Sequence, residues 1–244
     1  MSQRHLVVTL CLSIALITAG CAAPTTPDGS PPTLTANDAT DATALIHAHT
    51  ETLGSSSFTV HSRTTSRDAN ETFRVTTTQT WRVEPSHPVR MNVTRTQTAV
   101  GDAPDGSAQR PDRITAWRHG NETTVRVELD TGSQVRAVDL LNSSARLNRA
   151  LHRQLLYGFS THRNATVENV TRNGTDYYRV QAELNDTHVS SNASMTLLVH
   201  RSGYVREVKT TRTVAYRSGP RVITRTVRFF RINETQVARP SWAR

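Results

Sequence analysis

Residues 73–83 carry the constraint that most limits what this chain can become. In FRVTTTQTWRV the odd positions hold Phe73, Val75, Trp81 and Val83, while every even position is arginine or threonine. Side chains alternate between faces in a strand, so such a run buries one face and wets the other; a helix would scatter the same residues around its circumference. One wet face also favours antiparallel pairing, because strands of a parallel sheet are covered on both sides and read as continuous apolar runs. The alternation returns in Val89, Met91, Val93, in Val125, Val127, Leu129, and in Tyr178, Val180, Ala182, Leu184. Turn formers separate these runs at residues 67–70, 119–121, 172–175, 201–203 and 218–220. The pattern predicts hairpins joined into one long antiparallel meander. Segments 204–216 and 221–232 carry basic residues on both parities, which predicts strong twist or a bulge.

Two stretches switch to the helical period. Asp41 can cap a helix over residues 42–53 that stops at Gly54, and Ala42, Leu45, Ile46, His49 and Leu53 form one apolar stripe along it. His49 on that stripe reads as a buried, hydrogen-bonded histidine. His47, about 200° away around the helix, cannot share a metal with it. A second helix is expected within residues 142–158, with Leu147, Ala150, Leu151 and Leu155 on one side. Two helices and a sheet long enough to twist and curl give an α+β class, with the helices over the concave face.

The beginning of the chain follows different rules. Residues 6–18 are an apolar run, LVVTLCLSIALIT, too short for a membrane span of about 20 residues and suited to a signal peptide. Thr18-Ala19-Gly20-Cys21 then offers the small-residue site at which a prolipoprotein is cut and its cysteine lipidated. The other reading is a plain secretory signal that leaves Cys21 a free thiol. Residues 1–20 are accordingly expected to be a signal peptide, 21–40 a Pro/Thr-rich tether, and 41–242 a single domain. The chain has 2 cysteines, and if Cys11 leaves with the leader, disulfides, thiol catalysis and zinc–thiolate sites leave with it. Export also gives meaning to the asparagines. Of twelve, ten stand in Asn-x-Ser/Thr: Asn70, Asn92, Asn121, Asn142, Asn164, Asn169, Asn173, Asn185, Asn192 and Asn233. With 20 Ser and 37 Thr in 244 residues, chance supplies about three. The excess points to N-glycosylation, against the alternative that Asn and Thr merely share a liking for turns.

The lipobox-like Cys21, the proline–threonine stalk, the use of arginine for all but one of 29 basic residues, the sequon density and the closing Val237-Ala238-Arg239-Pro240-Ser241-Trp242 together resemble haloarchaeal cell-surface lipoproteins. These are similar in architecture to the lipoprotein-sorting carriers LolA and LprG. The resemblance implies a half-barrel sheet, a cell-membrane location on the extracellular face through a lipid on Cys21, and a lipid or other apolar ligand. Phe58, Phe73, Trp81, Met91, Tyr178, Met195 and Leu197 would line a cavity between the layers, and are core residues if the interior is filled.

Chemistry is absent from the motifs. There is no Gly-x-Ser-x-Gly, His-Glu-x-x-His or phosphate loop, and the lone Lys209 follows neither a glycine run nor a Ser-x-x spacing. The expectation is a non-enzymatic binding module without cofactor or metal. The net charge of +9 and the arginines from 201 to 231 suit anionic surfaces or an acidic envelope polymer. That suggests the alternative of an envelope-interaction protein with a filled core. An aromatic content of 5% leaves little for stacking bases, so nucleic acid is not an expected partner.

Overall fold

The computed structural model describes residues 35–85, 89–101, 113–129, 131–138 and 143–243, which fall within one compact unit, 33–244. Cys21, Asn142, the leader and most of the tether lie outside the described residues.

Thr35 opens the described chain by capping α1 (Ala36–Thr40). Its hydroxyl accepts from the Asp38 N–H while the Asp38 carboxylate takes the Thr35 N–H. Asp41 then caps α2 (Ala42–Gly54) by accepting from the N–H groups of Thr43 and Ala44. The stripe read from the sequence faces inward, with Leu45, Ile46, His49 and Leu53 buried. Six strands follow: β1 (Phe58–Asp68), β2 (Arg74–Glu84), β3 (Arg90–Val100), β4 (Arg113–His119), β5 (Glu122–Leu129) and β6 (Gly132–Ala137). After them come α3 (Ser143–Ala150), α4 (Arg153–Tyr157) and a 3-10 turn (Gly158–Thr161). The chain ends in β7 (His162–Arg172), β8 (Thr175–Leu184), β9 (Ser190–His200), β10 (Val205–Tyr216) and β11 (Gly219–Phe230), then a coil to residue 243.

All eleven strands form one open, curled antiparallel sheet in the order β6-β5-β4-β3-β2-β1-β11-β10-β9-β8-β7. The meander therefore comes in two runs rather than one. The first and last strands pair at the centre, Val60 opposite Phe229 and Ser62 opposite Val227, and the runs grow outward to edges β6 and β7. The α3–α4 segment carries the chain from one edge to the other. It crosses the face on which α2 lies, and His49, His152 and Phe229 pack edge-on there. We call this face inner. Leu45, Leu53, Leu151, Leu156 and Phe159 from the helical layer join Val60, Val83, Val208 and Phe229 in one core.

At three places the structure departs from the sequence expectation or adds what it did not cover. The helix over 142–158 is broken at His152, whose φ of 52° is left-handed. The break re-phases the following turn, so Leu156 is fully buried while Leu155 is only partly so. The bulges expected in the last two strands both lie in β10, at its pairing with β9 between Val205 and Glu207 and between Thr211 and Thr213; β11 pairs without a slip on either side. In β4 the alternation is inverted: Trp117 points outward and Arg118 inward, opposite Met91. Trp117 is nonetheless buried, because the closing segment lies over it, with the Arg239 guanidinium 5.1 Å from its ring. Val237 fixes that segment by donating its N–H to Glu84 Oε1 at 2.8 Å.

Candidate functional site

The inner face changes character along its strands. Where β1 begins and β11 ends it carries Phe58, Val60, Val83, Val227 and Phe229, all buried. Towards the other end the same face carries Thr64, Ser66, Thr77, Arg95, Gln97 and Arg212, part-buried or exposed. The helical layer shields the first part, and clefts open where that cover ends.

The larger cleft, about 720 Å³, lies between α3, α4 and the sheet and is lined by Gln79, Arg149, His152, Arg153, Gln154 and Arg225 among others. A second, about 320 Å³, lies under α4 and shares Gln154, Leu155 and Arg225 with it. The rest of its wall is largely apolar: Leu184, Ala193, Met195 and Ile223, with Thr64, Thr210 and Arg212 at the polar side. A third groove, about 460 Å³, runs between α2 and α4 past Ile46, His47, Glu51, Arg153 and Tyr157.

Arg225 stands between the first two. It shares its strand face with Val227 and Phe229, and its Nη2 donates to His152 Nδ1 at 2.9 Å. Accepting that bond fixes His152 as the neutral tautomer protonated on Nε2. Burial, reinforced by the Arg225 charge, pushes the His152 pKa down to about 3. Burial and the nearby Arg212 lower the Arg225 pKa too, but a guanidinium keeps its charge at any physiological pH.

The seven residues read as candidate cavity lining are all buried. Six belong to the packed core, and Phe73 lies outside it under the Arg221 guanidinium. Met195 alone of the seven also lines one of the clefts above. The walls of the clefts come instead from arginines, polar residues and the edges of the apolar stripes, Ile46, Leu155 and Leu184 among them. One signal was available: Arg225 has the parity of Val227 and Phe229, which places it on the buried face. Of the nine described sequon asparagines eight are exposed, and Asn92 on β3 is part-buried. His47 and His49 point apart, the first exposed and paired with Glu51 at 3.5 Å, the second fully buried. Among the described residues no group of three His, Cys, Asp or Glu could hold a metal, and no helix is long and apolar enough to cross a membrane.

No protein-family model matches the chain, and no curated protein does. Among solved structures it is similar to LprF from Mycobacterium bovis, with 10% identity over 83% of this chain and 97% of that one and a TM-score of 0.41. It is also similar to the MucA/MucB complex of Pseudomonas aeruginosa, with 16% identity over 82% and 59% and a TM-score of 0.37. A putative outer membrane lipoprotein-sorting protein domain from Vibrio parahaemolyticus matches with 10% identity over 80% and 93% and a TM-score of 0.27.

Proposed function

We propose that this chain is an exported, non-catalytic binding module, held on the extracellular face of the cell membrane by a lipid on Cys21 and N-glycosylated on its exposed asparagines, which accepts a lipid or other apolar ligand. The observation that carries the reading is the 320 Å³ cleft under α4, a recess that Leu155, Leu184, Met195 and Ile223 line with apolar side chains and do not fill. Its size falls within the range of about 300–1,000 Å³ typical of small-molecule sites. Apolar area kept accessible in a folded protein forgoes about 25 cal/mol per Å² of hydrophobic stabilisation, which a ligand's apolar part restores on entering. The apolar run before Cys21 and the eight exposed sequon asparagines support the export and glycosylation parts.

Native mass spectrometry of the purified protein, followed by solvent extraction, tests the ligand. A co-purifying apolar molecule is expected, and it should be lost in Ala193→Phe, which fills the cleft from a half-buried wall position while sparing the packed core. Wild-type protein that is repeatedly empty would favour the envelope-interaction reading, in which the arginines alone make the contacts. For the anchor, Cys21→Ser is expected to release the protein into the medium or stall its processing; unchanged membrane retention would contradict lipidation.

A further inference from the structure

The two faces of the sheet treat their arginines differently. On the outer face several arginines meet acids, Arg228 Nε at 2.9 Å from Glu207, Arg126 at 3.4 Å from Glu128 and Arg179 paired with Glu168, although Arg63, Arg74 and Arg82 there take part in no ion pair among the described residues. The chain thus has acids available and places them where water already screens the charge. Around the inner clefts the pattern reverses. Arg149, Arg153, Arg212 and Arg225 take part in none of the ion pairs among the described residues. Among the described residues neither the 720 Å³ nor the 320 Å³ cleft has an acid in its wall. Glu51 lines the separate groove that also touches Arg153 and pairs with His47, and Glu183 and Asp186 line a neighbouring recess beyond Leu184 and Ala193, where Asp186 pairs with Arg163.

Folding stability alone gives no reason for this arrangement. Arg153 and Arg225 are part-buried, so their like charges are poorly screened and repel, with the exposed Arg149 and Arg212 adding to the same field, and each desolvated guanidinium nitrogen without a partner costs free energy. Arg225 Nε, Arg153 Nε and His152 Nε2 are all buried and lack a hydrogen-bond partner among the described residues. The neutral partners that are present hold the guanidiniums in place: Arg153 donates to Asn148 Oδ1 and to the Tyr157 hydroxyl, both at 3.0 Å, and Arg225 to His152. A neutral histidine and an asparagine orient an arginine without cancelling its charge. Departures from local electrostatic consistency concentrate at sites kept for a ligand.

We propose that the cleft around Arg225 is an anion site, built from Arg149, Arg153 and Arg225 with Arg212 beside them, which binds a phosphate- or sulfate-type group. Such groups present several acceptor oxygens in the geometry that forked guanidinium donors match. The apolar cleft shares the Arg225 wall, so an amphiphile can lay its anionic head among the arginines and its apolar part against Leu184, Met195 and Ile223. That last step rests on the binding-module reading, whereas the anion site stands on the arginines themselves.

Calorimetric titration of the full chain carrying Cys21→Ser, recovered without detergent, separates the two. Three probes are used below their aggregation limits: inorganic phosphate, monododecyl phosphate and dodecyl maltoside. Monododecyl phosphate is expected to bind at least about ten-fold more tightly than dodecyl maltoside, equivalent to one charge-assisted contact or more. Arg149→Gln/Arg153→Gln, at one exposed and one part-buried position of the helical layer and checked for folding by circular dichroism, should erase that preference and leave maltoside binding unchanged. Arg225→Gln should do the same where circular dichroism shows it folded. Phosphate binding with the same arginine dependence identifies a free anion as sufficient; its failure beside tight dodecyl phosphate binding identifies a lipid headgroup. Equal affinity for the two amphiphiles, indifferent to the arginine variants, overturns the anion site and leaves the apolar site standing. Phosphate binding without either amphiphile does the reverse, and no binding by any probe overturns both.

Discussion

At His49, Nδ1 accepts the Val205 N–H at 3.1 Å, so Nε2 carries the proton and donates it to the Leu151 carbonyl at 3.0 Å. One neutral ring thereby joins α2, the end of α3 and the start of β10, satisfying two buried backbone groups that would otherwise each cost about 1–3 kcal/mol. Burial pushes its pKa from 6.5 to about 4. The folded state therefore binds fewer protons than the unfolded chain between these values. The resulting stability is fully present above about pH 6.5 and is lost as pH falls through about 4, to a limit of about 3 kcal/mol. His152, displaced in the same direction, extends the loss to lower pH. Urea midpoints followed from pH 7 to pH 4 should show this decline. His49→Gln keeps an acceptor and a donor at similar spacing, so it should retain most stability at pH 7 and flatten the acid limb. His49→Ala, which strands both backbone groups and leaves a cavity, should cost about 3–5 kcal/mol at pH 7. Equal pH profiles for wild type and His49→Gln would assign the acid sensitivity to other groups.

The turn joining β9 to β10 shows how an element can be forced by its neighbour. Gly203 sits at φ 97°, and a Cβ there would lie 2.8 Å from the Ala48 Cβ on α2. Both the backbone and the space require glycine, so Gly203→Ala is expected to cost about 1–3 kcal/mol, read as a lower thermal midpoint with unchanged far-ultraviolet dichroism. A midpoint within a degree of wild type would mean that α2 gives way freely. The sequence signalled this turn, as it signalled α2 and strands β2, β5 and β8, because an apolar residue at every second position, or a glycine after arginine and serine, is a local statement. It did not signal β1. The inner positions Ser62, Thr64 and Ser66 are small and polar, with Thr64 in the wall of a cleft, so the strand does not alternate. Nor did it signal the facing of β4. Trp117 turns outward only because residues 237–243, more than a hundred positions later, cover it, and no local pattern encodes that. The clefts were hidden for a similar reason. They arise where the helical layer ends over the sheet, and that boundary depends on the left-handed break at His152, whereas a straight helix over 142–158 would have presented a different set of side chains.

The sheet as a whole is open, and its two edges are unequal. β6 has six residues, all exposed, with Arg136 and a leading Gly132, the short polar form in which edges resist adding strands. β7 has eleven residues and among the described residues pairs with β8 alone, leaving its outer row of N–H and C=O groups able to template another chain. Its guard is of another kind. Asn164 and Asn169, both exposed, stand in sequons within the strand, and Asn173 stands in the turn that follows. If glycans occupy them, a bulky hydrated group projects beside the free edge at intervals of four or five residues, too closely spaced for a flat partner strand to dock. Protein made in a glycosylating host is then expected to remain monomeric by light scattering across a concentration series. Material from a host without glycosylation, or Asn164→Gln/Asn169→Gln from the first host, should associate at the same concentrations. Hydrogen exchange adds the location: amides of β7 should gain protection in the associated form while those of β6 do not change. Association with protection elsewhere, or none at all without glycans, would leave the sequons of β7 with no part in guarding the edge.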